Sequence, residues 1–212
     1  MLPAQDLPAG LPDPWSLKRL RSETRVVPIR FYAAAASQVA RHLLGCVVVH
    51  GKTAGMIVET EAYLGSGDRA AHSARGLTER TKVIFGPPGR AYVYFIYGMY
   101  ECLNVVAEPA GSTGCVLIRA LEPLTGLNLM AERRHWHGSQ RGLTSGPGKL
   151  TQALGITRSQ YGHRLDRGAL TIRRWKRMPE FEVEVTPRVG ISECVDLPLR
   201  FVWKDNPFLS RP

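Results

Sequence analysis

The sequence predicts a single mixed domain of helices and strands, and three observations point to it. Its 212 residues suit one domain, with or without a tail. Its hydrophobic share of 44% is enough to build a buried core. Its apolar residues also change period along the chain. Some runs show helical spacing, and others are strand-length stretches rich in Val, Ile and Tyr, bounded by Gly and Pro.

Residues 1–25 read as a flexible N-terminal tail and residues 26–212 as the folded domain. The first 17 residues hold four prolines and little charge, with no periodicity. From Phe31 to Leu44 a helix is expected, with Ala34 to Ala36 as helix formers and Val39, Leu43 and Leu44 at helical spacing. Gly45 would end it. Cys46 to His50 and Ala54 to Tyr63 read as strands joined by a turn at Gly51-Lys52. Gly65 to Thr81 is a loop, and Gly86-Pro87-Pro88-Gly89 a hard turn. Strands are expected at Ala91–Tyr97, Cys102–Ala107 and Gly114–Leu121, then a helix at Leu124–Arg134. A glycine-rich loop at Ser145–Gly148 precedes a short helix, Lys149–Leu154. Short strands near Leu170–Arg173, Glu182–Val185 and Leu199–Trp203 complete the domain.

Charge narrows the function. With 28 Lys and Arg against 18 Asp and Glu, the net charge is +10, which points to an anionic partner, nucleic acid first. No stretch approaches the roughly 18 apolar residues of a membrane span. No basic segment followed by an apolar one marks a secretory signal, so a cytoplasmic protein is expected. The four cysteines (Cys46, Cys102, Cys115, Cys194) are scattered, three of them in apolar runs, and read as reduced thiols. His135 and His137 have no further ligand at metal spacing, so no metal or other cofactor is expected.

Chemistry concentrates in three places. Tyr92 to Tyr100 (YVYFIYGMY) holds four tyrosines, and Tyr92 and Tyr94 share one strand face. Such rings suit base stacking, or simply a tyrosine-rich core. On the strand Ile57–Tyr63, alternation puts Glu59, Glu61 and Tyr63 on one face and Val58, Thr60 and Ala62 on the other. A carboxylate held in apolar surroundings can serve as a general base, although the same pattern fits the solvated edge of a sheet. His72 follows within a short loop, and Asn104 and Arg119 are polar residues in apolar strands. If buried, they need partners, either a carboxylate such as Glu61 or a ligand. Gly146-Pro147-Gly148 and Lys149 can offer N–H groups and a cation to a phosphate, or can simply start a helix. There is no nucleophile elbow, P-loop, zinc-protease motif or dinucleotide fingerprint.

Several segments together resemble the alkyladenine (3-methyladenine) DNA glycosylase family. They are Glu59–Gly65 (ETEAYLG), Ala71-His72-Ser73, Tyr92–Tyr100, Arg119–Pro123 (RALEP) and Ser145–Leu150 (SGPGKL), in family order. The resemblance covers about Arg30 to Ser210. It implies an α+β fold, a single mixed domain with a curved, mainly antiparallel β-sheet flanked by helices. It implies a monofunctional enzyme, acting as a monomer without cofactor on double-stranded DNA containing damaged purines. By the same resemblance Glu61 is the general base and Arg119 helps hold the attacking water. Tyr63, Ala70, His72 and Tyr94 line the pocket for the extruded base, and Asn104 limits it against the guanine amino group. Tyr97 fills the gap left in the duplex, and Met99, Arg80 and Lys149 contact DNA. Glu59 becomes support rather than base, a choice that spacing alone leaves open. The loop around Arg80 carries Glu79 and Thr81 where the family usually has proline and asparagine. No lysine stands in the pocket motifs, so no Schiff-base step is expected.

Two other readings fit parts of the pattern. A non-catalytic nucleic-acid-binding module would explain the charge but has no need of Glu61, His72 and Tyr97 together. A hydrolase of free nucleosides would explain a pocket but not the excess positive charge.

Overall fold

The structure is a computed structural model that describes residues 11–65, 67–96, 98–109 and 111–211. In chain order it contains α1 (Leu17–Glu23), β1 (Thr24–Val26), α2 (Ala36–Leu43), β2 (Val47–His50), β3 (Thr53–Tyr63), β4 (Ala91–Ile96), β5 (Tyr100–Ala107) and β6 (Gly114–Thr125). Then follow α3 (Leu127–Arg134), α4 (Arg141–Thr144), α5 (Pro147–Leu154), β7 (Leu170–Trp175), β8 (Val183–Thr186) and β9 (Arg200–Trp203). The strands form one open antiparallel sheet in the order β1-β7-β2-β3-β6-β5-β4, with β9 beside the second half of β3 and β8 beside β9. The fold class expected from the sequence is the one observed.

Each face of the sheet is covered because its side chains alternate. Val48 and Ile57 join α2, α3 and α5 in the main core, while Val47, Val49 and Met56 face Leu20 of α1 on the other side. In α2, Ala36, Val39, Ala40 and Leu43 are buried, and their spacing of three and four residues makes one apolar stripe. The helix begins later than the sequence suggests, because Ile29–Tyr32 forms a separate 3-10 turn. Gly45, with φ +75°, turns the chain into β2.

Strand β3 governs the site. Its first half pairs with β2 on one edge and its second half with β9 on the same edge, while β6 runs along the other. The register shifts three times, once between Ala54 and Gly55, where Leu124 is skipped, and twice more near the site. Val58 is skipped between the pairs Ile57–Leu121 and Glu59–Ala120, and Arg119 is skipped between Ala120 and Ile118. These two bulges face each other and re-aim side chains locally, the usual use of a bulge beside a site.

Two expectations need correction. The helix expected from Leu124 begins at Leu127, because β6 continues through Thr125, still paired with Ala54. Gly126, at φ +78°, ends the strand and starts α3. The expected tail is folded from residue 11 on. The Asp13 carboxylate accepts from Gly126 N and Leu127 N, both at 2.9 Å, satisfying free donors at the start of α3. Trp15 packs on Trp175 with ring centroids 4.9 Å apart, and Leu20 is fully buried. Residues 1–10 lie outside the described residues. No helix among the described residues is long and apolar enough to cross a membrane.

Candidate active site

A cleft opens on the face of β4 and β5 away from α5. Tyr92 and Tyr94 point into it while Ala91 and Val93 enter the main core, as alternation predicts. Tyr92 belongs to the buried wall and Tyr94 is half-buried, so the tyrosine segment supplies both core and cleft. The lining includes Tyr63, Ala70, His72, Tyr94 and Asn104, all of which the sequence marks as pocket residues. Arg69, Arg75, Tyr92, Ile96, Cys115 and the segment Gly190–Glu193 complete it. Its volume is about 210 Å³, below the roughly 300–1,000 Å³ of sites for drug-sized ligands. It suits one flat heterocycle.

The aromatic walls are braced from outside. His72 meets Tyr94 edge-on at 4.7 Å between centroids, and its Nδ1 lies 2.8 Å from the Tyr92 hydroxyl. Arg80 places its guanidinium 4.8 Å from the Tyr94 ring centre, and Arg188 stands 4.7 Å from the Tyr63 ring. Both are favourable cation–π distances. Burial, then the charges of Arg80 and Arg75, pull the His72 pKa down to about 4, so the imidazole is neutral at physiological pH. The Asn104 amide donates to Tyr92 O at 3.2 Å, and its oxygen faces the Cys115 thiol at 3.9 Å. Among the described residues it pairs with no carboxylate.

Glu61 and Arg119 lie behind Tyr63 rather than on the cleft wall. Both Glu59 and Glu61 are fully buried, which rules out a solvated sheet edge. Glu61 accepts from the Tyr63 hydroxyl at 2.9 Å and from Val189 N at 2.7 Å. Its Oε2 is 3.2 Å from Arg119 Nη1. Arg119 Nε donates to Glu59 Oε1 at 2.9 Å, so one guanidinium joins both carboxylates. Burial opposes ionisation of Glu59, but the Ser210 N–H, Arg119 and Arg200 outweigh it and hold the carboxyl below its ordinary value. Arg119 is itself buried, at 7% exposure, so this charge network is largely shielded from solvent.

Met99 is exposed at the tip between β4 and β5, beside Gly98 at φ +66°. Tyr97 lies outside the described residues. Lys149 is exposed in the first turn of α5. Gly148 packs against Tyr100, where an added Cβ would stand 2.9 Å from that of the tyrosine, so α5 lies close under the tip. Arg80 is exposed on the outer side of Tyr94. Among the described residues no group of three or more His, Cys, Asp or Glu side chains is placed to hold a metal, and Cys46, Cys102, Cys115 and Cys194 are all free thiols.

Sequence reasoning missed the residues that lock this arrangement. Arg188 makes a two-bond pair with Asp68 at 2.6 and 2.9 Å, and Asp68 also accepts from Leu64 N and Ala70 N. Asp68 stands next to a recognised motif, but nothing local ties it to Arg188. Val189 N, a backbone group, leaves no sequence signal.

A base-sized aromatic cleft backed by a buried carboxylate is compatible with a glycosidic-bond enzyme, and comparison gives the family. The Methylpurine-DNA glycosylase family model matches residues 30–207, and the chain belongs to that family. A relative from Methanoculleus marisnigri is 51% identical over 191 residues, 87% of this chain and 98% of its own. One from Rhodopseudomonas palustris is 50% identical over 86% of each chain. One from Chlorobaculum parvum is 43% identical over 92% of this chain and 91% of its own. All three are named provisionally as 3-methyladenine DNA glycosylases. This protein is therefore a DNA glycosylase, a hydrolase of the N-glycosidic bond of methylated purines.

Proposed function

We propose that the protein, acting as a monomer, turns alkylated or deaminated purines, 3-methyladenine among them, out of duplex DNA. Glu61 then activates the water that cleaves the glycosidic bond and leaves an abasic site. One observation carries this reading. A buried carboxylate is oriented by three donors, one of them the hydroxyl of Tyr63, whose ring walls the base-sized cleft.

A stacked base is inaccessible to water, and extruding it costs a few kcal/mol. Stacking against Tyr63, His72 and Tyr94 returns about 1–3 kcal/mol per aromatic contact. Tyr97 fills the vacated space in the helix, with Met99 beside it. The transition state is oxocarbenium-like, so a fixed carboxylate serves both proton removal and charge stabilisation. Arg119, 3.2 Å from Glu61 Oε2, fixes that carboxylate oxygen in place. Neutral His72 adds no positive charge to a pocket that takes cationic purines. Asn104, fixed by Tyr92 O, bounds the pocket against an exocyclic amino group.

The test is a set of duplexes each carrying one modified purine. Wild-type protein should generate alkali-labile abasic sites. Glu61→Gln should bind the same duplexes with excision slower by about 10²–10⁴. Near-normal single-turnover rates for Glu61→Gln, with Glu59→Gln inactive instead, would exchange the roles of the two carboxylates.

A further inference from the structure

The chemistry assigned to Glu61 does not use Glu59, yet four hydrogen bonds converge on that second carboxylate. Arg119 Nε, Arg200 Nε and Ser210 Oγ donate to Oε1 at 2.9, 2.8 and 2.8 Å. The Ser210 N–H donates to Oε2 at 2.7 Å. Ser210 Oγ also accepts from Arg119 Nη2 at 3.3 Å. A hydroxyl has one proton to give and lone pairs to receive, so both bonds are satisfied at once. Arg119 thus spends Nε on Glu59, Nη2 on Ser210 and Nη1 on Glu61. Ser210 reads as the third corner of its cradle.

The C-terminal segment is held in place for this task. Arg141 Nε donates to Pro207 O at 2.7 Å, and Arg200 Nη2 to Arg211 O at 2.8 Å. Ser210 sits between these anchors, three residues past the end of the family match at residue 207.

We propose that Ser210 is a positioning residue for glycosidic hydrolysis, fixing the Glu59–Arg119 pair and through it the guanidinium that orients Glu61. The bulge at Arg119 explains the need. Arg119 stands outside the β3–β6 register, and its three nitrogens with three fixed partners define one orientation. The cradle costs little to hold, because the Ser210 segment is already tied at Pro207 and Arg211. The proposal rests on Glu61 as the general base.

The experiment compares Ser210→Ala and Ser210→Thr with wild type and Glu61→Gln, using single-turnover excision, lesion-duplex affinity and thermal unfolding. Ser210→Ala should lower the excision rate about ten-fold, the size of one lost hydrogen bond to a charged group. Its affinity should stay at the wild-type value, and its unfolding midpoint should fall by no more than the loss of that one hydrogen bond, with the protein still folded under assay conditions. Ser210→Thr keeps the hydroxyl and should recover the rate. A wild-type rate for Ser210→Ala overturns the proposal, and so does a loss that Thr fails to repair or that follows the loss of folded protein. Glu61→Gln separates the two claims. If it excises normally, the reading of Glu61 fails; if it is inactive while Ser210→Ala is normal, only the positioning role fails.

Discussion

Arg188 and Asp68 face each other with both side chains fully buried and their paired atoms 2.6 Å apart at the closest. The pair joins two stretches of chain that carry the site. Asp68 holds Leu64 N and Ala70 N in the loop leading to His72. Arg188 lies against Tyr63, donates to Ala62 O at 3.0 Å, and precedes the Val189 N–H that binds Glu61. The aromatic wall, the pocket loop and the buried Glu61 carboxylate therefore share one electrostatic clasp.

Breaking one side of this clasp should be worse than removing it. Arg188→Met leaves a buried, uncompensated Asp68, and losing one partner of such a pair costs about 3–5 kcal/mol. Asp68→Asn combined with Arg188→Met removes both charges and should unfold at a higher urea concentration than Arg188→Met alone. Urea titrations of the two proteins make the comparison. A double variant no more stable than the single one would mean that the clasp acts through packing rather than charge.

His72 should stay neutral across the physiological range. Its pKa sits near 4 because the ring is buried and because Arg80 and Arg75 stand close. Its ring proton resonances should not titrate between about pH 5 and 8, where an ordinary histidine does. Arg80→Gln removes one of the depressing charges and should move the titration upward. A normal midpoint in the wild-type protein would show that the pocket is wetter than its burial implies.

Acid should unfold the protein through its buried carboxylates. For Glu59 and Asp68 burial opposes ionisation, but their hydrogen-bonding and cationic partners prevail and hold both below their ordinary values of 4.5 and 3.8. In that range the unfolded chain binds protons that the folded chain refuses. Stability is therefore complete above the unfolded values and falls as pH drops through the folded ones. The unfolding midpoint in urea should decline below about pH 4.5, and Glu59→Gln should flatten that decline. Indifference of the slope to Glu59→Gln would remove this carboxylate as a source.

Alternation and turn chemistry made much of this legible in the sequence. Tyr92 and Tyr94 share the cleft face, Glu59 and Glu61 both reach Arg119, and Gly51-Lys52 closes the β2–β3 hairpin. Three things left no local trace. A bulge depends on the register between two strands, so the skips at Val58 and Arg119 are invisible in either strand alone. The Asp68–Arg188 pair spans 120 positions. The N-terminal prolines hid a folded segment, because Asp13 and Trp15 are fixed by partners on α3 and β7 rather than by any periodicity of their own.

The last prediction separates DNA contact from folding. Arg80 and Lys149 are exposed, and neither makes an ion pair among the described residues, so both can meet phosphates. Each neutralised phosphate releases counterions, giving a log–log salt slope of about −0.9 per contact for duplex affinity. Arg80→Ala and Lys149→Ala should each make that slope shallower by about this amount, whatever sequence flanks the lesion. Deleting residues 1–17 removes no lysine or arginine and should leave the slope unchanged. The same deletion takes away Asp13 from the start of α3 and Trp15 from Trp175. Thermal stability should therefore fall, with about 1 kcal/mol lost from the missing cap alone. Fluorescence anisotropy across a salt series, alongside thermal unfolding, reads both effects. If the deletion changes the slope while neither substitution does, the phosphate-binding surface lies on the N-terminal side of the molecule rather than around the cleft.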